Sequence, residues 1–220
     1  MSQVKIGVLI SGGGTNLQAL IDNIDNGNIN GKITVVISNK KNAYGLERAK
    51  NKGIASVYID RKKFENDIDY NREIIRMLEE HDVELVVLAG YLKILSKELI
   101  NKYENRIINI HPSLIPSFCG KGFYGEKVHR AVLEYGVKIT GATVHFVDYE
   151  ADSGPIILQQ AVIVNDDDTV ESLQKRVLDI EHKILVEAVS LFCENKLKIE
   201  GRKVKNRGVV IDEKSVNKCL

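Results

Sequence analysis

The chain has 220 residues, 44% of them hydrophobic, enough for one sizeable α/β core and short for a second. Thirty-one basic side chains against thirty acidic ones leave a formal charge of +1, which supplies no broad field for nucleic acid or an anionic membrane, so an anionic ligand must meet a local site. Cys119, Cys193 and Cys219, odd in number and without C-x-x-C spacing, support neither a disulfide framework nor a structural zinc site.

In chain order, "VKIGVLI" reads as a strand, and Leu17, Leu20, Ile21 and Ile24 beyond it fall on one helix face. The apolar run before the first glycines is too brief for a signal peptide or a membrane span, and with the free cysteines it predicts a cytoplasmic protein. Further runs at "KITVVIS", "ASVYI", "ELVVLAG" and "RIINI" are separated by a segment starting at Tyr44 and by Tyr70, Ile74, Met77 and Leu78 at helical spacing. This alternation predicts a mostly parallel sheet with crossover helices. After a helix candidate in "GEKVHRAVLEYG", the β-rich runs "ITGATVHFV" and "PIILQQAVIV" predict an antiparallel extension of the sheet. Asp168 or Thr169 then caps a long helix striped by Leu173, Val177, Ile180 and Ile184. The fold class is therefore α/β, with one domain over residues 1–200 and a peripheral, lysine-rich tail over 201–220.

"SGGGTN" joins the first strand to the first helix, where backbone N–H groups and the positive helix end face an anion together. It lacks the Gly-Lys-Ser/Thr of a Walker A loop, and Leu17 stands where a dinucleotide fingerprint needs its third glycine. The end of the second strand offers Asn39, Lys40 and Lys41 in place of an acidic ribose ligand. A phosphate monoester is the expected ligand; a tight turn that only lets helix and strand pack is the alternative.

The stretch "RIINIHPSLIPSF" places an amide, Asn109, in the middle of an apolar strand, where an unpaired amide costs roughly 1–3 kcal/mol. Asn109 and His111 are two apart and share a strand face at its carboxyl end, where open α/β sheets bind ligands. An imidazole beside an amide can hold an oxyanion and move a proton. Asp148, Glu150 and Asp152 crowd the loop in "HFVDYEADSGPII", and Asp152, in an Asx-turn composition, is the expected partner carboxylate. His145 is read as structural or as a support for that group, with no third ligand to make a metal pair with His111; His81 and His129 are read as solvated surface residues.

These residues carry a resemblance. "SGGGTNLQAL", "SNKKNAYGLERAKNKGI", "LAGYLKILS", "NIHPSLIPSF" and "TGATVHFVDYEADSGPIILQ" resemble the phosphoribosylglycinamide formyltransferase family over nearly residues 4 to 200. The resemblance implies a Rossmann-like formyltransferase fold and transfer of a formyl group from 10-formyltetrahydrofolate to the amine of glycinamide ribonucleotide in purine synthesis. It implies small-molecule substrates, no metal, no nucleic acid and no membrane, in a monomer or homodimer. Asn109, His111 and Asp152 match the family's catalytic trio. Gly12, Gly13, Gly14, Thr15 and Asn16 would hold the substrate phosphate, with Glu181 at the ribonucleotide. Leu92, Lys93, Ile94 and Leu95, with Asn109 and the loop from Asp148 to Asp152, would enclose the folate's pteridine ring. The sequence departs from other members in Lys93 where they carry Arg, in Asp67 where some have Arg, and in the longer "CGKGFYGEKVHRAV". Relatives that formylate methionyl-tRNA carry a further basic C-terminal domain, and those that hydrolyse the folate carry an N-terminal regulatory domain; neither is expected here. A non-catalytic nucleotide-binding module would explain the glycines but not the trio.

Overall fold

A computed structural model describes residues 2–206 of the chain. Val4–Ile10 forms β1, which passes through three glycines into α1, Thr15–Asp25. There follow β2 (Gly31–Ser38), α2 (Tyr44–Asn51), β3 (Ala55–Tyr58), α3 (Asp67–Glu80), β4 (Leu85–Leu88), α4 (Lys97–Lys102) and β5 (Ile107–His111). The chain continues through α5 (Glu126–Tyr135), β6 (Ile139–Phe146), β7 (Ile156–Ile163), α6 (Val170–Cys193), β8 (Leu197–Glu200) and β9 (Lys203–Asn206). All the strands lie in one sheet, ordered β3-β2-β1-β4-β5-β6-β7-β9-β8. From β3 to β5 every pairing is parallel, and β6 and β7 then add antiparallel. The parallel half and its antiparallel extension thus stand where the hydrophobic periodicity puts them.

The parallel strands are apolar on both faces because helices cover both. Along β1, Ile6, Val8 and Ile10 pack with α1, α2, α5 and α6, whereas Leu9 faces α3 and α4. Helix starts follow their chemistry: Asn66 accepts from the Asp69 N–H ahead of α3, and Thr169 and Ser172 cap α6 reciprocally. Thr169 is therefore the N-cap, while Asp168 accepts from the Asn165 N–H and the Ser172 hydroxyl. Helix α4 has no counterpart in the sequence reading, since six residues with only Leu99 and Ile100 buried give too little periodicity. The sheet also runs on into the stretch expected to be a peripheral tail: β9 pairs with β8 and touches β7 at Ile156 and Lys203. The remainder of that tail, with Cys219, lies outside the described residues.

The chain leaves β1 toward β2 and β3, then returns past β1 to β4. That reversal opens a crevice at the carboxyl ends of β1 and β4. Ser11, 4% exposed, spans it: its N–H donates to the Gly90 carbonyl (3.1 Å), its hydroxyl donates to Asn39 Oδ1 (2.7 Å) and accepts from the Leu92 N–H (2.9 Å). Among the described residues, no helix is long and apolar enough to cross a membrane.

Helix α6 is the spine of one face, and Leu185 at its centre is fully buried. Leu185→Ala should lower the unfolding free energy by about 2–5 kcal/mol, read from the shift of the urea midpoint at unchanged slope.

Candidate active site

A single cavity of about 750 Å³ opens at the crevice, lined at one end by Gly12, Gly13, Gly14, Thr15, Asn16 and Glu181 and at the other by Leu92, Lys93, Ile94, Leu95 and Asp148. Asn109, His111 and Asp152 also line it. The structure thus brings together every residue that the sequence nominated for the site. Lys93 is exposed at the apolar end, and Asp67, outside this lining, pairs with Arg61.

Register explains the Asn109 amide. In the antiparallel β5–β6 pair Asn109 stands opposite His145, so their side chains share one face. The His145 Nδ1–H donates to the Phe146 carbonyl (2.7 Å), which leaves Nε2 to accept from Asn109 Nδ2 (3.1 Å). The second Asn109 N–H faces Asp152 Oδ1 at 3.4 Å. Both amide hydrogens thus have acceptors, and the cost of burying the amide is met within the site.

Asp152 sits where three segments meet. Its Oδ2 accepts from the Gly120 N–H (2.8 Å) and lies 3.4 Å from His111 Nδ1, and its Oδ1 lies 3.5 Å from His145 Nε2. The expected Asx turn is not what aims it; Asp152 has a left-handed backbone, φ 56°, and its carboxylate is held by groups distant in sequence. Burial pushes its pKa up, but His145, His111 and the Gly120 N–H outweigh this and hold it below the usual carboxylate value. His111 has acceptors at both nitrogens, since Nε2 lies 2.9 Å from the Phe118 carbonyl. Those acceptors favour the imidazolium, yet burial is the larger influence and the pKa of His111 lies below its ordinary value.

At the other end Gly14, with φ 71°, begins α1 without any side-chain cap, so the first N–H groups of that helix are left for a ligand. Asn16 Nδ2 donates to Glu181 Oε2 at 2.8 Å, while Asn16 Oδ1 is buried without a partner. Burial pushes the Glu181 carboxyl up to about 7, against the opposing hydrogen bond from Asn16. An orphaned acceptor next to a carboxyl group suits a polyhydroxylated ligand, which can donate to both.

Two histidines depart from the sequence reading. His129, expected at the surface, is 2% exposed and lines the cavity with Nδ1 unpartnered, because α5 turns that face inward with Val128 and Val132. Burial, then the proximity of His111, lowers its pKa to about 4. His81 is half-buried at the C-cap of α3. Sequence reasoning also missed Gln174 and Leu178, which line the cavity beside Glu181; their offsets of four and three residues along α6 are the signal that would have found them. The backbone from Gly120 to Gly125 also borders the cavity, and nothing in its composition placed it there. No cluster of three or more His, Cys, Asp or Glu side chains suited to a metal ion occurs among the described residues.

The family described as formyl transferase matches residues 4–189. A chloroplastic phosphoribosylglycinamide formyltransferase of Arabidopsis thaliana is 44% identical over 195 residues, covering 88% of this chain and 67% of that protein. The phosphoribosylglycinamide formyltransferase of Escherichia coli K12 is 39% identical over 96% of this chain and 100% of its own length. The crystal structure of glycinamide ribonucleotide transformylase 1 from Symbiobacterium toebii is 46% identical with a TM-score of 0.89, covering 93% of this chain and 94% of that one. The chain spans only 19% of the trifunctional purine biosynthetic proteins of chicken, human and cattle that it also matches.

The buried Glu181 makes stability depend on pH. Its folded pKa, about 7, lies above the ordinary 4.5, so the fold favours the protonated carboxyl. That stabilisation is complete below about pH 4.5 and is lost as pH rises through about 7. Glu181→Gln, neutral throughout, should remove a decline on the order of 3 kcal/mol between about pH 4 and pH 8, measured by urea unfolding of both proteins at each pH.

Proposed function

The chain belongs to the formyl transferase family, and on that premise we propose that it transfers a formyl group from 10-formyltetrahydrofolate to the primary amine of glycinamide ribonucleotide, a step of purine synthesis. The observation that carries this reading is one cavity with an uncapped glycine–helix junction at one end, an apolar wall at the other, and Asn109, His111 and Asp152 between them. The phosphate lies on the N–H groups of residues 12–16, and the ribose hydroxyls lie near Glu181 and Asn16 Oδ1. The pteridine ring enters between residues 92–95 and 148–152. Two free thiols, Cys119 and Cys193, fit a cytoplasmic setting. The substrates are small molecules, and the chain works as a monomer or homodimer without a metal.

The neutral amine attacks the formyl carbon, and its lone pair forms the new C–N bond while the carbonyl electrons move onto oxygen. Collapse of that tetrahedral species breaks the bond to N10 of the folate, which leaves as the amine after taking the proton that the attacking amine has shed. No acyl-enzyme forms. Asn109 offers the oxyanion the N–H now facing Asp152 at 3.4 Å, the longer of its two contacts. The His111 Nε2–H, now on the Phe118 carbonyl, turns to the same oxygen when substrate displaces that carbonyl. Asp152 favours the imidazolium of His111 and accepts the proton shed by the attacking amine, directly or through water. Holding both substrates in one cavity supplies much of the acceleration through orientation.

The folate absorbance should change only when glycinamide ribonucleotide is present; an equal change without it would mean hydrolysis and end this reading. Asp152→Asn keeps the shape of the carboxylate and removes its charge, so turnover should fall by about 10²–10⁴-fold with smaller effects on substrate binding. The same substitution should lower the pKa of His111 further, because the charge opposing burial is gone. Histidine NMR reads that shift; an unmoved resonance with near-normal turnover would remove Asp152 from the mechanism.

A further inference from the structure

The two peptide groups at the heart of the glycine loop are held from behind. The Gly12 carbonyl accepts from the Gly45 N–H at 3.1 Å, and the Gly13 carbonyl accepts from Arg48 Nε at 2.9 Å. Gly45 and Arg48 both belong to α2, and Gly45 lies in its first turn, where helix N–H groups have no partner of their own. In a trans peptide the carbonyl and the following N–H point in opposite directions, and the peptide bonds of this loop are trans. With the Gly12 and Gly13 carbonyls turned toward α2, the N–H groups of Gly13 and Gly14 must point the other way. No backbone carbonyl among the described residues accepts from either of them.

The close approach of the two segments requires glycine at position 14 and leaves little room for a side chain at position 45. A Cβ on Gly14 would lie 2.7 Å from Gly45 Cα, and one on Gly45 would lie 2.4 Å from Ile10 Cδ1 and 3.3 Å from Gly14 Cα. Arg48 itself is fixed: Nη1 donates to Gln18 Oε1 (2.9 Å), and the guanidinium lies 4.9 Å from the centroid of the Tyr44 ring. It thus ties α2 to the loop and to the first turns of α1.

We propose that Arg48, with the Gly45 N–H, is a positioning element for the phosphate site, turning the carbonyls of Gly12 and Gly13 away so that the N–H groups of Gly13 and Gly14 face a phosphate monoester. The inference rests on the phosphate reading of the loop given above. Arg48 does its work on the loop backbone; the charge of its guanidinium is not the point. Lysine at this position keeps the charge but loses the planar group that donates to Gly13 and Gln18 at once.

Ribose 5-phosphate serves as the probe, followed by calorimetry and by amide NMR. In the wild type, its addition should shift the Gly13 and Gly14 amide resonances; if neither responds, the phosphate reading of the loop fails and this inference with it. R48M and R48K should each weaken ribose 5-phosphate binding by about tenfold, with affinity for a folate analogue held within about twofold. R48K binding like wild type while R48M is weak would mean direct charge attraction, and wild-type affinity in R48M would mean that the contact is idle. Either result overturns the positioning role and leaves the phosphate reading standing. A measurement without variants covers the case in which R48M does not fold: in ligand-free wild type the Gly45 amide should be protected from hydrogen exchange and those of Gly13 and Gly14 open. An unprotected Gly45 amide would overturn the proposal.

Discussion

A carboxylate taken out of water must be matched by donors, and Asp152 is the place where this chain meets that requirement. Its two oxygens are shared among the Gly120 N–H, His111 and Asn109, with His145 Nε2 3.5 Å away. The donors belong to the carboxyl half of β5 and to the segment after the His-Pro-Ser turn. None of these contacts is local in sequence. The left-handed backbone at Asp152 is tolerated because the surrounding groups fix it. Removing the carboxylate would leave three donors facing each other's dipoles, so the geometry of Asn109 and His111 depends on Asp152 even before any proton moves.

The same crevice joins its two ends through Ser11. One residue bonds the strand that feeds the glycine loop to Gly90 and Leu92, at the start of the apolar wall, and to Asn39 just past the end of β2. Two substrates that must meet within bonding distance need such a rigid frame, since effective molarity falls steeply with misplacement of the reacting atoms. The parallel sheet supplies the frame, and the switch in strand order between β1 and β4 supplies the gap.

Much of this was legible because its causes are local. Alternation of apolar runs with helix-period segments gave the parallel half, and the two long β-rich runs gave the antiparallel extension. The amide of Asn109 stood out in an apolar strand, and period two put His111 on its face. What the sequence could not give was whatever depends on partners far along the chain. His129 reads as a solvated surface residue because its burial depends on which face of α5 the rest of the fold covers. The turn composition around Asp152 points to the right carboxylate for a reason that does not orient it, since its partners are Gly120 and His111. Gln174 and Leu178 lie outside the apolar stripe of α6, on its Glu181 side. Helix α4 was too short to show a period.

The near-neutral charge of the chain bears on how such a site must work. With 31 basic and 30 acidic side chains, long-range steering is weak, and selectivity for an anion has to come from oriented dipoles at short range. Backbone N–H groups at an uncapped helix start meet that need without a buried cation, and so without the desolvation that a lysine there would suffer. The same economy of charge holds near the trio. His129 lies beside His111 but is neutral at ordinary pH, its pKa lowered to about 4 by burial and by that neighbour. A neutral His129 adds no cation against His111, where the Asp152 carboxylate works against burial, the larger influence. The Asp152 carboxylate, by contrast, is largely buried among its partners, where a charge is felt more strongly than in water.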